Sequence, residues 1–350
     1  MSRVQILEIG ADDADQRLDR WFRRTFPHIA QGRIEKMCRK GDIRVDGSRV
    51  KPATRLAQGQ SVRIPPLPDA NEISSQAKPP RSTVSDEDAK LIQSCVIYRD
   101  DHVIALNKPP GLATQGGSKQ TRHVDGLAEA LRFGYEEKPR LVHRLDKDTS
   151  GVLLLARTRA VASALTSAFR SRETRKIYWA AVAGAPMPRQ GSIRYGLVKA
   201  SGHGGHGEAE KMMCVHPSEV ERVEGAKRAT TDYAILSNLG GRVCWVALVP
   251  ITGRTHQLRA HMAEIGHPII GDGKYGGSGQ ENLGDGWGAQ LGGEISRKLH
   301  LHARSLRIQH PVSGAALNIT APLPEHMERT WETLGWSPAD VPEDPFEDEF

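Results

Sequence analysis

The amino-acid sequence predicts an α+β fold: a small αα-β domain, then a larger domain with a mixed, mainly antiparallel β-sheet flanked by helices and loops. Two helical patterns and a hairpin signal fill residues 15–66. A stretch rich in proline, serine and charge, residues 67–90, lacks periodicity and predicts a linker. Over residues 91–335, strand-like runs predominate but helical patterns recur, which favours one large sheet.

The first domain begins with apolar residues at helical spacing. They form two groups: Leu18, Trp21, Phe22 and Phe26, then Ile34, Met37 and Cys38. Asp46-Gly47 separates two β-branched runs and is typical of a two-residue hairpin turn, because both central positions need a positive φ. The run SVRIP predicts a closing strand.

The larger domain contains eight strand-like runs and four helical patterns. The predicted strands are CVIYRD, HVIALN, LVHRLD, GVLLLA, RKIYWAAVAG, TTDYAILSNL, RVCWVALVPI and HARSLRIQH. The predicted helices are DGLAEALRFG, RAVASALTSAFRS, RTHQLRAHMAEIG and PEHMERTWETLG.

Composition and charge narrow the function classes. The 350 residues include no run of about 18 apolar residues, and the first residues lack a signal-peptide core, so we expect a cytoplasmic protein. The four cysteines lie far apart and are expected to be reduced thiols. Residues 17–63 carry 13 Lys or Arg against 4 Asp or Glu, which favours a polyanionic partner. Residues 336–350 are acidic and predict a disordered tail.

Three residues in the larger domain are candidates for chemistry. Asp146 ends a strand-like run before a polar turn, where a carboxylate serves as nucleophile or base; a turn-capping role is the alternative. Arg259 lies on a predicted helix and could hold a carboxylate bidentately, or lie over the helix surface. Tyr178 lies within a predicted strand, where packing in the core is the common role.

The motifs HRLDKDTSG, KIYWA and TGRTHQLRAHM, in this order and spacing, resemble the RluA-type pseudouridine synthases. NKPPGLATQGGS resembles the segment that precedes the catalytic loop of that family, and its glycine pair is most similar to the RluC branch, which isomerises uridines in large-subunit ribosomal RNA. The resemblance covers residues 97–322. The basic domain resembles the S-four-type RNA-binding domain.

The resemblance implies roles for individual residues. Asp146 would be the nucleophile, attacking either the anomeric carbon or the uracil ring. Tyr178 would stack on a flipped uracil, Arg259 would pair with the Asp146 carboxylate, and Arg144 would fill the gap that the base leaves. In the S-four-type domain, five residues would bind phosphates: Arg33, Lys36, Arg39, Lys40 and Arg44. No metal or nucleotide cofactor is implied, and we expect a monomer whose partner is large-subunit ribosomal RNA.

Two glycine-rich stretches carry weaker signals. SGHGGHG formally contains the dinucleotide-binding pattern GxGxxG, but its flanking residues favour neither the preceding strand nor the following helix that such a loop needs, so a flexible surface loop is predicted. The glycine-rich stretch after Tyr275 is interpreted as an insertion near the active-site rim.

Three alternative functions stand beside the large-subunit enzyme. They are a non-catalytic RNA-binding assembly factor, a synthase acting on another structured RNA such as tRNA, and a glycosidase. A glycosidase would need a second carboxylate about 5 to 9 Å from Asp146, for which Asp148 is the nearest candidate in sequence.

Overall fold

The computed structural model describes residues 4–68, 84–116, 122–171, 173–200, 211–276 and 295–346. The chain divides into two compact units, Met1–Thr83 and Val84–Phe350. The SGHGGHG loop and nearly all of the glycine-rich insertion fall outside the described residues. Most of the predicted linker does so too, but its end is wrong, because residues 86–90 belong to a helix that runs from Asp86 to Ser94.

The first unit packs two helices against a four-stranded sheet with the order β1-β4-β2-β3, in which every pairing is antiparallel. Asp46 and Gly47 have φ values of 47° and 77°, as the predicted hairpin turn requires. Strand β1 was not predicted, and it pairs with β4 ahead of residue 15. The elements are β1 (Gln5–Glu8), a 3₁₀ turn (Ala11–Asp13), α1 (Leu18–Thr25), α2 (Gln31–Lys40), β2 (Arg44–Val45), β3 (Ser48–Arg49) and β4 (Ser61–Ile64).

The core of this unit consists of the apolar faces of its two helices and its strands. Trp21, Phe22 and Ile34 are at most 2% exposed, as their helical spacing predicts. Helix α2 ends at Gly41, whose φ of 78° is a left-handed conformation that costs glycine little. This stop directs the chain into β2.

The second unit holds the large sheet and five helices among its described residues. The strands are β5 (Val96–Arg99), β6 (Val103–Lys108), β7 (Arg140–Leu141), β8 (Ser150–Ala156), β9 (Arg175–Ala183), β10 (Gln190–Lys199), β11 (Met212–Val215), β12 (Lys227–Leu239), β13 (Val243–Pro250), β14 (Leu301–Gln309) and β15 (Ala316–Thr320). The helices are α3 (Asp86–Ser94), α4 (Val124–Leu127), α5 (Arg159–Ala168), α6 (Gln257–Glu264) and α7 (Glu325–Thr333), with 3₁₀ turns at Ala128–Leu131 and Pro338–Asp340.

The sheet is mixed and mainly antiparallel, which confirms the predicted fold class. Its order is β11-β10-β12-β13-β9-β14-β8-β6-β5, with β15 beside β14 and β7 beside β8. Among the described strands only β14 and β8 run parallel. This parallel pair lies within the sheet, and the loop before β8 carries the HRLDKDTSG motif.

The predicted strand LVHRLD is wrong beyond its first residue. Only Arg140–Leu141 pairs with β8. The next position on β8, Leu154, donates its backbone N–H to His143 Nε2 at 2.9 Å, so a side chain takes the place of a further strand bond. Asp146 therefore lies in an irregular loop.

The prediction of a disordered acidic tail from residue 336 is wrong over residues 336–346. Trp336 and Phe346 are 8% and 3% exposed and belong to the core cluster around Trp245 and Trp331. Asp344 binds Arg175 bidentately at 2.7 and 2.8 Å. The acidic composition concealed these apolar anchors, which hold the segment against the start of β9.

None of the helices in the described ranges combines the length and apolar character that crossing a bilayer requires.

Candidate active site

The loop that carries Asp146 is fixed to the segment after β6. Thr114 Oγ1 donates to the backbone carbonyl of Leu145 at 2.6 Å and accepts from the backbone N–H of the same residue at 3.2 Å. On the other side of Asp146, the carbonyl of Lys147 accepts from the backbone N–H of Gly111 at 2.9 Å. The residues before and after Asp146 are therefore both held by the NKPPGLAT segment.

Lys108 strengthens this attachment from a buried position. Its ammonium donates to the carbonyls of Pro109, Leu112 and Lys147 at 2.9, 2.8 and 3.0 Å, one for each of its protons. Burial lowers the pKa of Lys108 to about 7, although the nearby carboxylates of Asp148 and Asp146 favour the charged form. The lysine thus acts as a crosslink between β6 and the loop.

A close backbone approach at the start of β8 shapes the other end of the loop. Gly151 has a φ of 110°, and a Cβ atom there would lie 2.2 Å from the carbonyl oxygen of Ala303 on β14. Only glycine allows this contact, because the space of a methyl group is filled by backbone. Strand β14 therefore lies directly beside the end of the Asp146 loop.

Arg259 reaches the site from helix α6, but its strongest partner is not the one expected. Its Nε and one terminal nitrogen each bind an Asp272 carboxylate oxygen at 2.7 Å. The other terminal nitrogen lies 3.7 Å from Asp146 Oδ2. Burial alone would lower the pKa of Arg259, but the bond to Asp272 and the charge of Asp146 raise it. The guanidinium is held by Asp272 and turned toward Asp146.

His256 lies beside the same carboxylate. Its Nε2 is 3.9 Å from Asp146 Oδ2, and its Nδ1 is 3.0 Å from the hydroxyl of Tyr275. Burial lowers the pKa of His256 more than the charge of Asp146 raises it, which favours the neutral ring. Tyr275 also lies under Arg259, with the guanidinium carbon 5.2 Å from its ring centre.

Tyr178 lies on β9 and is partly buried among apolar residues of two core clusters. Burial raises the pKa of its phenol, and the charge of Asp146 raises it further. The phenol is therefore neutral, and it lies close enough to Asp146 for the charge of that carboxylate to raise its pKa. The stacking role on a flipped uracil that the family resemblance implied for Tyr178 stays a prediction.

Arg144 lies on the same loop, two residues before Asp146, and is exposed. Among the described residues it has no hydrogen-bond or ion-pair partner.

A cavity of about 370 Å³ adjoins the site and is lined by Arg259 and Asp148 together with basic residues: Lys274, Arg297 and Lys298. This cavity suits an anionic ligand, because four of its lining side chains are cations.

Comparisons with known proteins cover the part of the chain that holds these residues. The family model for RNA pseudouridylate synthase matches residues 102–264, which include Asp146, Tyr178 and Arg259. "Ribosomal large subunit pseudouridine synthase C" of Vibrio cholerae is 35% identical over 94% of this chain and 96% of its own length. The chain belongs to the RNA pseudouridylate synthase family.

Further matches extend the likeness. The same-named protein of Escherichia coli K12 is 34% identical over 95% of this chain and 97% of its own length. A solved structure, Human RNA Pseudouridylate Synthase Domain Containing 4, matches with a TM-score of 0.56 and 30% identity, covering 71% of this chain and 95% of that one. As a member of this family, the protein is an isomerase that converts uridine to pseudouridine.

The five basic residues expected to bind RNA phosphates lie in the first unit. Four of them are exposed on α2, opposite its buried face: Arg33, Lys36, Arg39 and Lys40. Arg44 differs, because its guanidinium donates to the backbone carbonyls of Gly41 and Gly47 at 3.2 and 2.9 Å. These bonds give Arg44 a part in holding the hairpin.

Sequence reasoning missed several residues of this pseudouridylate synthase site. Asp272 lies a few residues beyond the motif TGRTHQLRAHM and received no role, and Lys108 lay in a motif used only for the family resemblance. A sequence signal for Asp272 was available, because it directly follows a glycine and lies shortly after the helix that carries Arg259. Nothing in the sequence pattern alone pointed to Tyr275, because its contacts with His256 and Met212 are tertiary.

Proposed function

We propose that this pseudouridylate synthase isomerises specific uridines in large-subunit ribosomal RNA, with Asp146 as nucleophile. The observation that carries the proposal is the convergence of three residues: the Asp146 carboxylate, the Arg259 guanidinium 3.7 Å from it, and the neutral phenol of Tyr178. The choice of RNA is supported by relatives named as large-subunit synthases, which align along 94–95% of the chain.

The reaction exchanges one bond for another at the ribose. The bond from the anomeric carbon to uracil N1 breaks, a bond to uracil C5 forms, C5 loses its hydrogen as a proton, and N1 takes up a proton. No electrons are gained or lost. The reaction requires a carboxylate that can act as nucleophile when the base arrives, and the neighbouring Arg259 guanidinium faces Asp146 Oδ2.

The remaining residues of the site have roles in exposing the base. A uridine must leave its stack before Asp146 can reach it, at a cost of a few kcal/mol. Arg144 is exposed on the same loop and has a planar cation that can occupy the gap. Tyr178 offers an aromatic face to the flipped uracil.

The basic face of α2 supplies affinity. Its four exposed cations would contact phosphates, which position the enzyme without reading sequence. Log affinity falls as log salt rises, and each phosphate contact contributes about 0.7–0.9 to the steepness of that fall. Replacing the four cations together with alanine should therefore make the fall shallower by up to about 3 units. The single-turnover rate at saturating RNA should stay within about twofold of the wild-type rate. An unchanged salt dependence would show that these residues do not contact RNA phosphates.

Tritium release tests the catalytic role. Unmodified large-subunit RNA carrying tritium at uridine C5 should lose label with the wild-type protein and with Asp148→Asn, an exposed neighbour of the nucleophile. Asp146→Asn, which keeps the shape of the side chain, should release none. Transfer RNA and small-subunit RNA serve as parallel substrates.

Each outcome decides one point. No release by the wild-type protein from any of these RNAs would refute the proposed activity, and release only from transfer RNA would refute the proposed substrate. Release that persists in Asp146→Asn would refute the proposed nucleophile. Loss of release in Asp148→Asn would indicate that a second carboxylate takes part in the chemistry.

A further inference from the structure

We infer that His256, held by Tyr275 in the tautomer that carries its proton on Nε2, is a positioning residue for the Asp146 carboxylate. The inference rests on the proposed role of Asp146 as nucleophile. It assigns a function to a side chain that the site geometry places near Asp146 and that the roles described so far do not use.

The hydrogen bonds of Tyr275 determine the tautomer. The backbone N–H of Met212 on β11 donates to the phenol oxygen at 2.8 Å. Burial raises the pKa of Tyr275 to about 12, so the hydroxyl keeps its own proton and must donate it. Among the residues that the structure describes, His256 Nδ1 is the acceptor within reach, at 3.0 Å.

The other ring nitrogen then carries the proton. A neutral imidazole has one donor and one acceptor nitrogen, so an accepting Nδ1 leaves the N–H on Nε2. This N–H faces Asp146 Oδ2 across 3.9 Å, which is beyond hydrogen-bonding distance but is closed by a shift of about 1 Å. Catalytic hydrogen bonds are commonly long in the free enzyme and shorten when substrate binds.

The backbone of His256 supports a functional reason for the residue. Its φ and ψ are 52° and 20°, a left-handed conformation at the start of α6. Residues other than glycine rarely adopt it, although histidine and asparagine do so more readily than most. Such conformations persist where the surroundings determine them, and they concentrate at functional sites. In this protein the left-handed backbone of His256 places its ring between Tyr275 and Asp146.

Asp272 connects this pair to Arg259. Its Oδ1 accepts from one nitrogen of Arg259 at 2.7 Å and from the backbone N–H of Tyr275 at 3.1 Å. One buried carboxylate therefore fixes both groups that face Asp146: the guanidinium directly, and His256 through Tyr275. Oδ2 of Asp146 therefore faces both a cation and a neutral donor.

Two conservative variants separate this role from a structural one. In His256→Gln the amide nitrogen lies near the position of Nε2 and can still donate to Asp146. In His256→Asn the amide nitrogen lies near Nδ1 and cannot reach Asp146, while asparagine tolerates the left-handed backbone better than glutamine. A role confined to folding would therefore favour asparagine, and a donor role would favour glutamine.

Single-turnover tritium release from large-subunit RNA measures the difference. We expect His256→Asn to lower the rate constant about tenfold with RNA affinity unchanged, and His256→Gln to recover to within about threefold of the wild-type rate. Equal rates in the two variants, or a faster asparagine variant, would overturn the inference. Absence of release by the wild-type protein would instead refute the proposed function.

Nitrogen NMR of ¹⁵N-histidine-labelled protein reads the tautomer independently of activity. The His256 signals, assigned by their loss in His256→Asn, should report a protonated Nε2 in the wild-type protein. In Tyr275→Phe the Nδ1 loses its donor, and its shift should move toward that of an unbonded nitrogen. A protonated Nδ1 in the wild-type protein would overturn the inference.

Discussion

Removing the charge of Asp272 should destabilise the second unit more than any other single change at the site. The Asp272 side chain is fully buried and the Arg259 side chain is 5% exposed. Asparagine keeps the size of Asp272 but supplies one acceptor oxygen. The Oδ1 side of Asp272 already serves Arg259 and the backbone N–H groups of Lys274 and Tyr275, so the new amide nitrogen must face Arg259 Nε–H.

The magnitude follows from the cation that is left behind. Breaking a buried ion pair by removing one partner costs about 3–5 kcal/mol, because the other charge stays without compensation. At about 2–4 °C per kcal/mol, Asp272→Asn should lower the melting temperature of the second unit by roughly 6–20 °C. The assay is differential scanning calorimetry of the full chain, with the exposed Asp148→Asn as control.

A second variant separates the unpaired charge from the loss of backbone bonds. Arg259→Met removes the buried cation, while the amide oxygen introduced by Asp272→Asn would still accept the two backbone N–H groups. The double change Asp272→Asn with Arg259→Met should therefore recover more than half of the lost stability, although activity stays absent. If the double variant is no more stable than Asp272→Asn alone, the unpaired cation is not the cause.

Two further predictions concern the sheet. Gly151→Ala should lower the free energy of unfolding in urea by at least about 2 kcal/mol more than Gly134→Ala does. Both glycines have a positive φ, but only at Gly151 would the methyl group meet backbone, at 2.2 Å. Equal losses in the two variants would contradict the close approach. Burial lowers the pKa of His300 to about 4. As the pH falls below about 6.5, His300 is protonated in the unfolded chain but stays neutral in the folded chain. At pH 5 the free energy of unfolding of the wild-type protein should therefore fall by about 2 kcal/mol more than that of His300→Gln. A loss of the same size in both proteins would show that His300 titrates normally.

The fold class was predictable because burial follows local pattern. Runs such as GVLLLA are buried on both faces and form strand β8, and helical spacing located α5 and α7. Strand β10 was missed, because its exposed arginine and its glycines weaken the apolar signal while its pairing with β12 depends on distant residues. The end of the chain was misjudged, since a count of charges overlooked two aromatic anchors.

The site was predictable only as far as its motifs reach. Asp146, Tyr178 and Arg259 stand in specific sequence patterns, and the structure places them near one another. The partner of Arg259 could not be derived from those patterns. Two carboxylates compete for one guanidinium, and burial decides the competition: Asp272 is completely enclosed, whereas 30% of the Asp146 side chain is exposed.

The parallel pairing of β14 with β8 has a consequence for the protein while it is being made. His302 and Ala303 pair with Ser150 and Gly151, so about 150 residues separate the two strands along the chain. At about 5–20 residues per second, roughly 8–30 s pass between synthesis of the Asp146 loop and synthesis of the strand that supports it. A nascent chain therefore carries Asp146 for that interval without the strand that completes the site, and the site can form only after β14 has been made.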